Sequence, residues 1–418
     1  MKRLLIKNIG LLQGISDATS ALRGSEMRVI GSLADAYLAA EGGVISAFGS
    51  MVDCPGHDDF NDIIDAQGGI VRPTFCDSHT HIVYAGSREG EFIDKINGLS
   101  YEEIAKRGGG ILNSADRMHT TNEDELFESA MRRLRQAAAL GTGAIEIKSG
   151  YGLTLEDELK MLRVIRRLKQ QMPQMEIRAN FLGAHAVGRA FAGHQTEYVD
   201  YVINDMLPAV AAEGLADYVD VFCDRGFFTV NDTDRILATA AKYGLKGKIH
   251  ANELDNSGGV QVGVAHGALS VDHLERMGEE EIELLAKSDT VATMLPGCSF
   301  FSRMPYAPAR SAIEKGSAIA LATDWNPGSS PSGSMPFVMA LACINMRLTP
   351  EEAFNATTIN GAAAMGLAES HGSIAIGKAA SVIIYDSYVP SPDYIPYAYT
   401  EPLIKQVILR GKRLEMPL

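Results

Sequence analysis

The chain has 418 residues, of which 46% are apolar and 22% are charged, a balance typical of globular proteins and not of disordered ones. Its formal net charge of -14 argues against nucleic acid or an anionic membrane as the main partner, because phosphate groups require a basic surface. The cysteines are scattered and form no CxxC pair, so neither a disulfide framework nor a cysteine-rich zinc site is indicated. With no evident leader or membrane-spanning segment, we expect a soluble, cytoplasmic protein.

Short strands at both ends of the chain predict a small β domain. Residues 4–9 and 44–48 alternate between apolar and polar, and residues 404–410 form a similar run near the other end. If the two ends pair, residues 1–68 and 370–418 together form a composite β-sandwich. Residues 69–369 are then inserted between its two halves.

The central segment alternates short apolar strands with longer helical stretches, which is the pattern of βα units around a parallel sheet. Helices are predicted at residues 123–140, 154–171, 231–243 and 279–287. The strand candidates are residues 70–75, 144–148, 176–183, 218–223, 245–250, 268–273, 290–295 and 318–323. This number of strands predicts a closed (β/α)8 TIM barrel, whose long connection at residues 82–143 is expected to carry substrate contacts.

His79 and His81 directly follow the first predicted barrel strand. Residues two apart on a strand point the same way, so both imidazoles are expected to face one side. Such a pair can hold zinc or a neighbouring transition metal. Taken alone, the pair could equally be a polar cap on the strand.

Further polar residues fall at the ends of other predicted strands, and these ends converge on one mouth of a barrel. Taken singly, His250 could be a buried core histidine and Asp324 a turn cap. Packing explains the whole set poorly, so we expect these side chains to meet. The set comprises His185, His250, Glu253, His273 and Asp324.

Several motifs together resemble the imidazolonepropionase family of the amidohydrolase superfamily. They are HTHxxxxGxR at residues 79–88, KSGYGL at 148–153, GAHAV around His185, KIHANE at 248–253, VDHLE at 271–275 and ATDWNPGSS at 322–330. The HxH pair and the late aspartate are general to the superfamily, whereas KSGYGL and DWNPGSS select this family. The likeness extends to the terminal segments, where GSIAIGKAASVIIYD resembles the return to the small β domain.

The resemblance implies one zinc or ferrous or ferric iron ion per subunit, held by His79, His81, His250 and Asp324. Such a metal lowers the pKa of a bound water from about 15.7 to about 7, which makes hydroxide available at neutral pH. Relatives with two metals add a carbamylated lysine on the fourth strand, and the fourth strand here has no lysine. We interpret Lys148, on the second strand, as a supporting residue.

The resemblance also implies a reaction, the hydrolysis of the ring C–N amide bond of 4-imidazolone-5-propanoate to N-formimidoyl-L-glutamate in histidine degradation. Asp324, His273 and Glu253 are the expected catalytic residues, with Asp324 carrying the proton from water to the departing nitrogen. The family further implies a homodimer.

Arg88 is the expected partner of the substrate's propanoate, because guanidinium binds carboxylate through two parallel hydrogen bonds. The family's matching positions imply further contacts, and Tyr101 is an additional candidate. Backbone N–H groups of the Gly/Ser stretch are expected to bind the acidic end of the product. The further substrate contacts are Tyr151, His185, Glu253, Asn326, Gly328 and Ser329.

Two alternative functions stay open on these residues. A deaminase of the same superfamily, acting on a base such as guanine or cytosine, would use the same metal ligands, but a neutral base would not need Arg88 or the Ser329 region. A non-catalytic barrel acting as a scaffold would be free to lose metal ligands, and this chain retains them.

Overall fold

The computed structural model describes residues 2–99, 103 and 109–415. Within this part of the chain, strands and helices are each numbered in chain order. Strands β1 to β16 span Arg3–Ile15, Gly31–Glu41, Val44–Ser50, Asp62–Asp65, Ile70–Pro73, Phe75–Asp77, Thr142–Lys148, Glu176–Ala184, Tyr218–Cys223, Lys246–Ala251, Ser270–His273, Val291–Met294, Ile319–Leu321, Val382–Tyr385, Ile404–Leu409 and Lys412–Arg413. Helices α1 to α15 span Glu89–Ile96, Ile111–Thr120, Glu123–Ala139, Leu155–Gln171, Gln195–Tyr201, Leu207–Ala212, Val230–Lys242, Gly259–Ala265, Glu279–Ala286, Pro296–Ser302, Ala309–Glu314, Met335–Met346, Pro350–Thr357, Ile359–Ala364 and Tyr394–Tyr397.

The two ends of the chain form one mixed sheet, as the alternating runs predict. Its strand order is β16-β15-β14-β5-β1-β2-β3, and β4 pairs with β1 beside β5. The sheet curls back on itself, because Val44 in β3 bridges to Ala379 and the Ala380 N–H donates to the Gly43 carbonyl over 2.9 Å. Apolar side chains of β1, β2, β5 and β14 fill the space that this curl encloses.

The predicted strand at residues 70–75 is divided between the two sheets. Strand β5 pairs with β1 and β14 in the terminal sheet, whereas β6 pairs with β7 in the barrel. The crossing occurs where the Thr74 N–H donates to Ser381 and the next N–H, of Phe75, donates to Gly141. The sequence reads as one strand here, because apolar residues continue on both sides of Arg72 and Thr74 and give no sign of the change of partner. The division of the chain at residue 69 stays a prediction, and the pairing favours a boundary at Thr74.

The inserted segment forms the predicted barrel, with the described strands β6 to β13 arranged in chain order and all parallel. The barrel closes just beyond its first and last strands. There the Asp324 N–H donates to the His79 carbonyl over 3.0 Å, and the His81 N–H donates to the Trp325 carbonyl over 2.9 Å. The backbone of the candidate site residues therefore joins the two edges of the sheet.

The predicted helices are confirmed, with ends shifted by a residue or so. Helix α3 is capped by Asn122 and α4 by Thr154, and both helices carry acidic residues in the first turn, where the helix dipole favours negative charge. Their apolar faces pack on the outside of the barrel. None of the described helices combines the length and the apolar character needed to cross a membrane.

Helix α14 packs closely against β6, the first barrel strand. A Cβ atom at Gly361 would lie 2.2 Å from the carbonyl oxygen of Cys76 in β6. Gly361→Ala should therefore push α14 away from the strand that leads to His79. We expect a loss of about 1–3 kcal/mol of stability, measured as a lower midpoint of thermal unfolding.

Gly90→Ala in α1 is the matched control, because nothing lies within 4 Å of its Cβ position. It should be neutral or stabilising by up to about 1 kcal/mol. Equal effects of the two substitutions would contradict the packing argument.

Candidate active site

Side chains from distant parts of the sequence meet at the mouth of the barrel, as their positions at strand ends predict. The Nε2 atom of His81 lies 3.3 Å from Nε2 of His79 and 3.4 Å from Nε2 of His250. Oδ1 of Asp324 lies 3.6 Å from the Nε2 atoms of both His79 and His81. All four side chains are almost completely buried.

Two carboxylates below the histidines determine which ring nitrogen carries the proton. His79 Nδ1 lies 2.6 Å from Asp272 Oδ2, and His250 Nδ1 lies 3.1 Å from Asp220 Oδ1. Because a carboxylate accepts hydrogen bonds, the proton is on Nδ1 and the Nε2 lone pair faces the centre of the site. Burial lowers the pKa of His79, His81 and His250, which favours neutral imidazoles.

The donor set fits a divalent metal such as zinc. Two nitrogens bound to one tetrahedral zinc at about 2.0–2.1 Å lie about 3.3–3.4 Å apart, which matches the spacing of these Nε2 atoms. The donor atoms of His79, His81 and Asp324 all lie within 4.8 Å of one another, as do those of His79, His250 and His273. Lone pairs that converge in this way suit a Lewis acid between them.

A buried ion cluster fills the barrel beneath the histidines. Lys148 Nζ donates to Glu146 Oε1 over 2.5 Å and to Asp220 Oδ2 over 2.7 Å, and Lys248 Nζ donates to Glu146 Oε2. Asp272 Oδ2 lies 3.7 Å and 3.8 Å from the two ammonium groups. Although burial opposes it, Asp220 and Glu146 raise the pKa of Lys148 above its ordinary value. Lys148 thus supports the carboxylates that orient the histidines.

His273 lies between two acidic side chains at the end of β11. Its Nε2 is 3.7 Å from Glu253 Oε2, and its Nδ1 is 3.5 Å from Glu275 Oε2. Burial alone would lower the pKa of His273, but the Glu253 and Glu275 carboxylates raise it well above its ordinary value. The backbone φ of 81° at His273 breaks the alternation of the strand, so that consecutive residues Asp272 and His273 both reach the site.

Asp324 and Glu253 are carboxyl groups that titrate near neutral pH. Burial raises the pKa of each to about 7. Asp324 also has a left-handed φ of 50°, a backbone conformation that is costly for a non-glycine residue and is often found at functional sites. Without bound metal, both groups can accept and return a proton near neutral pH, and a cation held by Asp324 would lower the pKa of that carboxyl group.

Arg88 lies at another part of the cavity wall and is held from two sides. Its Nη2 donates to Glu91 Oε2 over 2.6 Å, and a Cβ atom on Gly328 would lie 2.4 Å from its Nη1, so the guanidinium packs directly on this glycine. Lys95 Nζ donates to the Gly328 carbonyl over 3.0 Å and brings a second cation to the same region.

The loop after β13 uses its own backbone donors internally. Asn326 Oδ1 accepts hydrogen bonds of 2.8 Å from the N–H groups of Gly328 and Ser329, and Asn326 Nδ2 donates to Ser329 Oγ. The binding of the product by these N–H groups stays a prediction, and in this conformation both groups hold the loop in shape.

His185 and Tyr151 form the opposite wall. The His185 ring stacks on His81 at 5.3 Å between centroids, lies 5.3 Å from the Tyr151 ring, and has its Nδ1 2.9 Å from the Gly150 carbonyl oxygen. Burial lowers the pKa of His185 to about 3, so its ring is neutral. Tyr101 lies outside the described residues.

The predicted substrate-binding residues and catalytic groups line one cavity of about 520 Å³, together with apolar side chains such as Phe92, Phe222 and Phe301. Sequence reasoning missed several neighbours of this cavity. Asp220 and Asp272 could have been found, because each is a charge inside an apolar strand. Lys95 and Glu91 had no such signal, since they belong to an ordinary amphipathic helix.

Comparisons with known proteins agree with this arrangement. The Amidohydrolase family model matches residues 70–414. The chain is 51% identical over 410 residues to the imidazolonepropionase of Christiangramia forsetii, covering 98% of this chain and 99% of that protein. It is 52% identical over 409 residues to the imidazolonepropionase of Flavobacterium johnsoniae, again covering 98% and 99%. The chain belongs to the imidazolonepropionases of the amidohydrolase family.

The fold of this chain also resembles the folds of solved amidohydrolase structures. A triazine hydrolase variant superposes with a TM-score of 0.77 at 16% identity, covering 99% of this chain and 94% of that one. E. coli guanine deaminase superposes with a TM-score of 0.77 at 13% identity, and each chain is fully covered. At these identities the likeness shows a shared amidohydrolase fold only, so it does not favour the deaminase alternative.

The buried ion cluster should contribute to the stability of the folded protein, and substitution of Lys148 tests this. Lys148→Met leaves the buried carboxylates of Glu146, Asp220 and Asp272 with too little positive charge, and should cost about 3–5 kcal/mol. The thermal midpoint of protein stripped of metal by a chelator measures this loss without a contribution from the metal.

Lys315→Met is the control, because Lys315 is 47% exposed and its two ion pairs at 3.4 Å lie in solvent. Its cost should stay below about 1 kcal/mol. If Lys148→Met were as mild as Lys315→Met, the cluster would not be what stabilises this layer.

Proposed function

We propose that this chain is an imidazolonepropionase that hydrolyses 4-imidazolone-5-propanoate to N-formimidoyl-L-glutamate, a step of histidine degradation. The observation that carries the proposal is that three of the four metal donors, His81, His250 and Asp324, line the same cavity as Arg88, whose side chain is 8% exposed. Half of the residues are shared with imidazolonepropionases along nearly the whole chain. The substrate has both an amide to be hydrolysed and a carboxylate to be held.

His79, His81, His250 and Asp324 would hold one zinc or iron ion. When bound, the metal supplies a Lewis acid that lowers the pKa of water and polarises a carbonyl group. Cytoplasmic location and assembly as a homodimer are part of the same proposal.

Asp324 is the proposed carrier of the proton. The water oxygen forms a bond to the ring carbonyl carbon, the ring C–N bond breaks, and the departing nitrogen takes a proton. Asp324, whose carboxylate would contact both the metal and the water, accepts the proton from the attacking water and returns it to that nitrogen. Its Oδ1 lies 3.6 Å from the Nε2 atoms of both His79 and His81.

His273 and Glu253 are proposed to bind the ring of the substrate and stabilise its transition state. A protonated His273 stabilises the negative charge that develops on the carbonyl oxygen, because its charge is already in place before the reaction. Glu253, whose pKa burial raises to about 7, accepts a ring N–H when it is ionised. The 3.7 Å between the two side chains keeps them within reach of one substrate.

The propanoate arm is proposed to bind Arg88. Glu91 and Gly328 fix the guanidinium before the substrate arrives, which lowers the entropy lost on binding. Tyr151 and His185 would contact the ring, and the loop of Asn326, Gly328 and Ser329 would contact the new carboxylate of the product. A neutral base offers no partner for this cation, which separates the proposal from the deaminase alternative.

The direct test is to offer imidazolonepropanoate and guanine to the metal-loaded enzyme in parallel and to measure the loss of each. We expect only imidazolonepropanoate to be consumed. Asp324→Asn is the control for contaminating activity and should reduce turnover by at least about 100-fold, because its proton acceptor is lost. Consumption of guanine alone would overturn the proposal, and a thermal midpoint near that of the natural chain would show that the variant is folded.

Arg88→Ala tests the carboxylate contact. Loss of a charge-assisted hydrogen bond costs about 1.5–3 kcal/mol, which corresponds to a rise in KM of roughly tenfold to a hundredfold. Turnover at saturation should fall much less, because the contact forms equally in the ground state and the transition state. Arg189→Ala, which removes an exposed guanidinium paired with Asp116, should leave KM unchanged. An unchanged KM in Arg88→Ala would remove Arg88 from substrate binding.

A further inference from the structure

A buried thiol lies beside two of the proposed catalytic groups. Cys298, in α10, has no solvent exposure, and its Sγ lies 3.9 Å from Glu253 Oε1. Glu253 Oε2 in turn lies 3.7 Å from His273 Nε2. One donor atom from each of the three side chains falls within 4.8 Å of the other two. The metal donor set already described does not include Glu253 or Cys298.

We propose that Glu253, His273 and Cys298 form a second, inhibitory metal site that takes zinc or a similarly thiophilic divalent cation. Thiolate, imidazole and carboxylate are the three ligand types that zinc uses in proteins, and a thiolate selects it over magnesium or calcium. Three protein ligands leave a fourth position for water.

The spacing of the donor atoms suits such an ion. With bonds of about 2.3 Å to sulfur and about 2.0–2.2 Å to nitrogen and oxygen, ligand atoms around a tetrahedral zinc lie roughly 3.3–3.7 Å apart. Of the two measured separations, the 3.7 Å contact joins His273 Nε2 to Glu253 Oε2, and the 3.9 Å contact joins Cys298 Sγ to the other oxygen of Glu253. One donor atom of each residue lies within 4.8 Å of the other two, so binding one ion requires the three side chains to move closer together by up to about 1 Å.

The surroundings of His273 orient it as a ligand. Glu275 Oε2 lies 3.5 Å from Nδ1 of His273, and the Ser299 hydroxyl holds the other oxygen of Glu275 at 3.1 Å. A carboxylate that accepts a hydrogen bond from Nδ1 is the common support of a metal-binding histidine. Glu275 lies close enough to take this role after a small shift, although His273 Nδ1 and Glu275 Oε2 form no hydrogen bond in this conformation. Here Nε2 points toward Glu253.

Metal binding changes the protonation of the cluster. Without metal, burial raises the pKa of the Cys298 thiol, which stays protonated. A bound cation favours the thiolate, so the S–H proton leaves to solvent as the metal–sulfur bond forms, and His273 likewise loses its Nε2 proton. No oxidant or other reactant is needed.

Occupancy of this site would stop the reaction, a consequence that rests on the proposed function. The cation would occupy the lone pairs of Glu253 and His273, so neither could bind the substrate ring nor stabilise the developing oxyanion. The two donor sets share no residue, so one ion does not have to leave for the other to bind. His273 also lies within 4.8 Å of the donor atoms of His79 and His250, so the second site adjoins the first.

The test measures metal binding and inhibition separately, on enzyme already loaded with one metal equivalent. Equilibrium dialysis against increasing free zinc should give a second equivalent in the natural chain, with turnover falling as it binds. Added cobalt(II) should produce a thiolate charge-transfer absorption. Cys298→Ser and Cys298→Ala should bind the second equivalent at least about tenfold more weakly, which is the lower end of the loss seen when even outer partners of a metal site are removed. Both variants should resist the inhibition.

Cys343→Ser is the matched control, because it makes the same change on helix α12, away from the cavity, and should behave like the natural chain. Thermal midpoints of the three variants without added metal show whether each is folded. A single equivalent at every zinc concentration, or equal inhibition in Cys298→Ala and Cys343→Ser, would overturn the second site while leaving the proposed function intact. Absence of turnover on imidazolonepropanoate would instead overturn the proposed function, and the dialysis and cobalt measurements would still report on the site.

Discussion

The site depends on a balance of charge inside the barrel. Three carboxylates and two ammonium groups, none exposed to solvent, contact one another beneath the histidines. Removing an ion from water costs several kcal/mol, so each of these charges is tolerated only because opposite charges and hydrogen bonds surround it. Lys148 and Lys248 therefore favour the ionised forms of Asp220 and Asp272 in a layer that apolar side chains fill in many barrels. Although burial opposes it, His250 and Lys148 lower the pKa of Asp220, and at Asp272 both lysines oppose the rise in pKa that burial causes.

This charge balance also determines how the histidines at the mouth of the barrel are oriented. Asp220 and Asp272 accept hydrogen bonds from the Nδ1 atoms of His250 and His79, and thereby direct the Nε2 lone pairs of these histidines to a common point. Glu275 lies in a comparable place beside His273, with its Oε2 3.5 Å from Nδ1 but without a hydrogen bond between them. For His79 and His250, the carboxylate partner fixes which ring nitrogen faces the cavity, and this orientation determines which atoms can bind a metal.

Much of the architecture followed from patterns along the chain. Apolar runs that alternate with amphipathic helices indicated the barrel, because the period of the pattern reflects which face of each element is buried. His79, His81, His250 and Asp324 could be grouped since each follows or ends a strand, and parallel strands end at the same mouth. The crossing at Thr74 could not be predicted in this way, because the neighbouring residues Thr74 and Phe75 belong to one short extended segment and yet bond to different sheets.

Local sequence by itself determined the elements, the strand-end positions of the histidines and the family to which the motifs belong. Only the tertiary structure decided the partners of these side chains: that Asp272 lies under His79, that Gly328 packs against Arg88, and that Cys298 lies beside Glu253. The physical reason is the distance along the sequence over which each kind of interaction acts. Strand and helix patterns arise from burial within a few neighbouring residues, whereas these contacts join residues 45 to 240 positions apart, where barrel closure and side-chain packing set the distances.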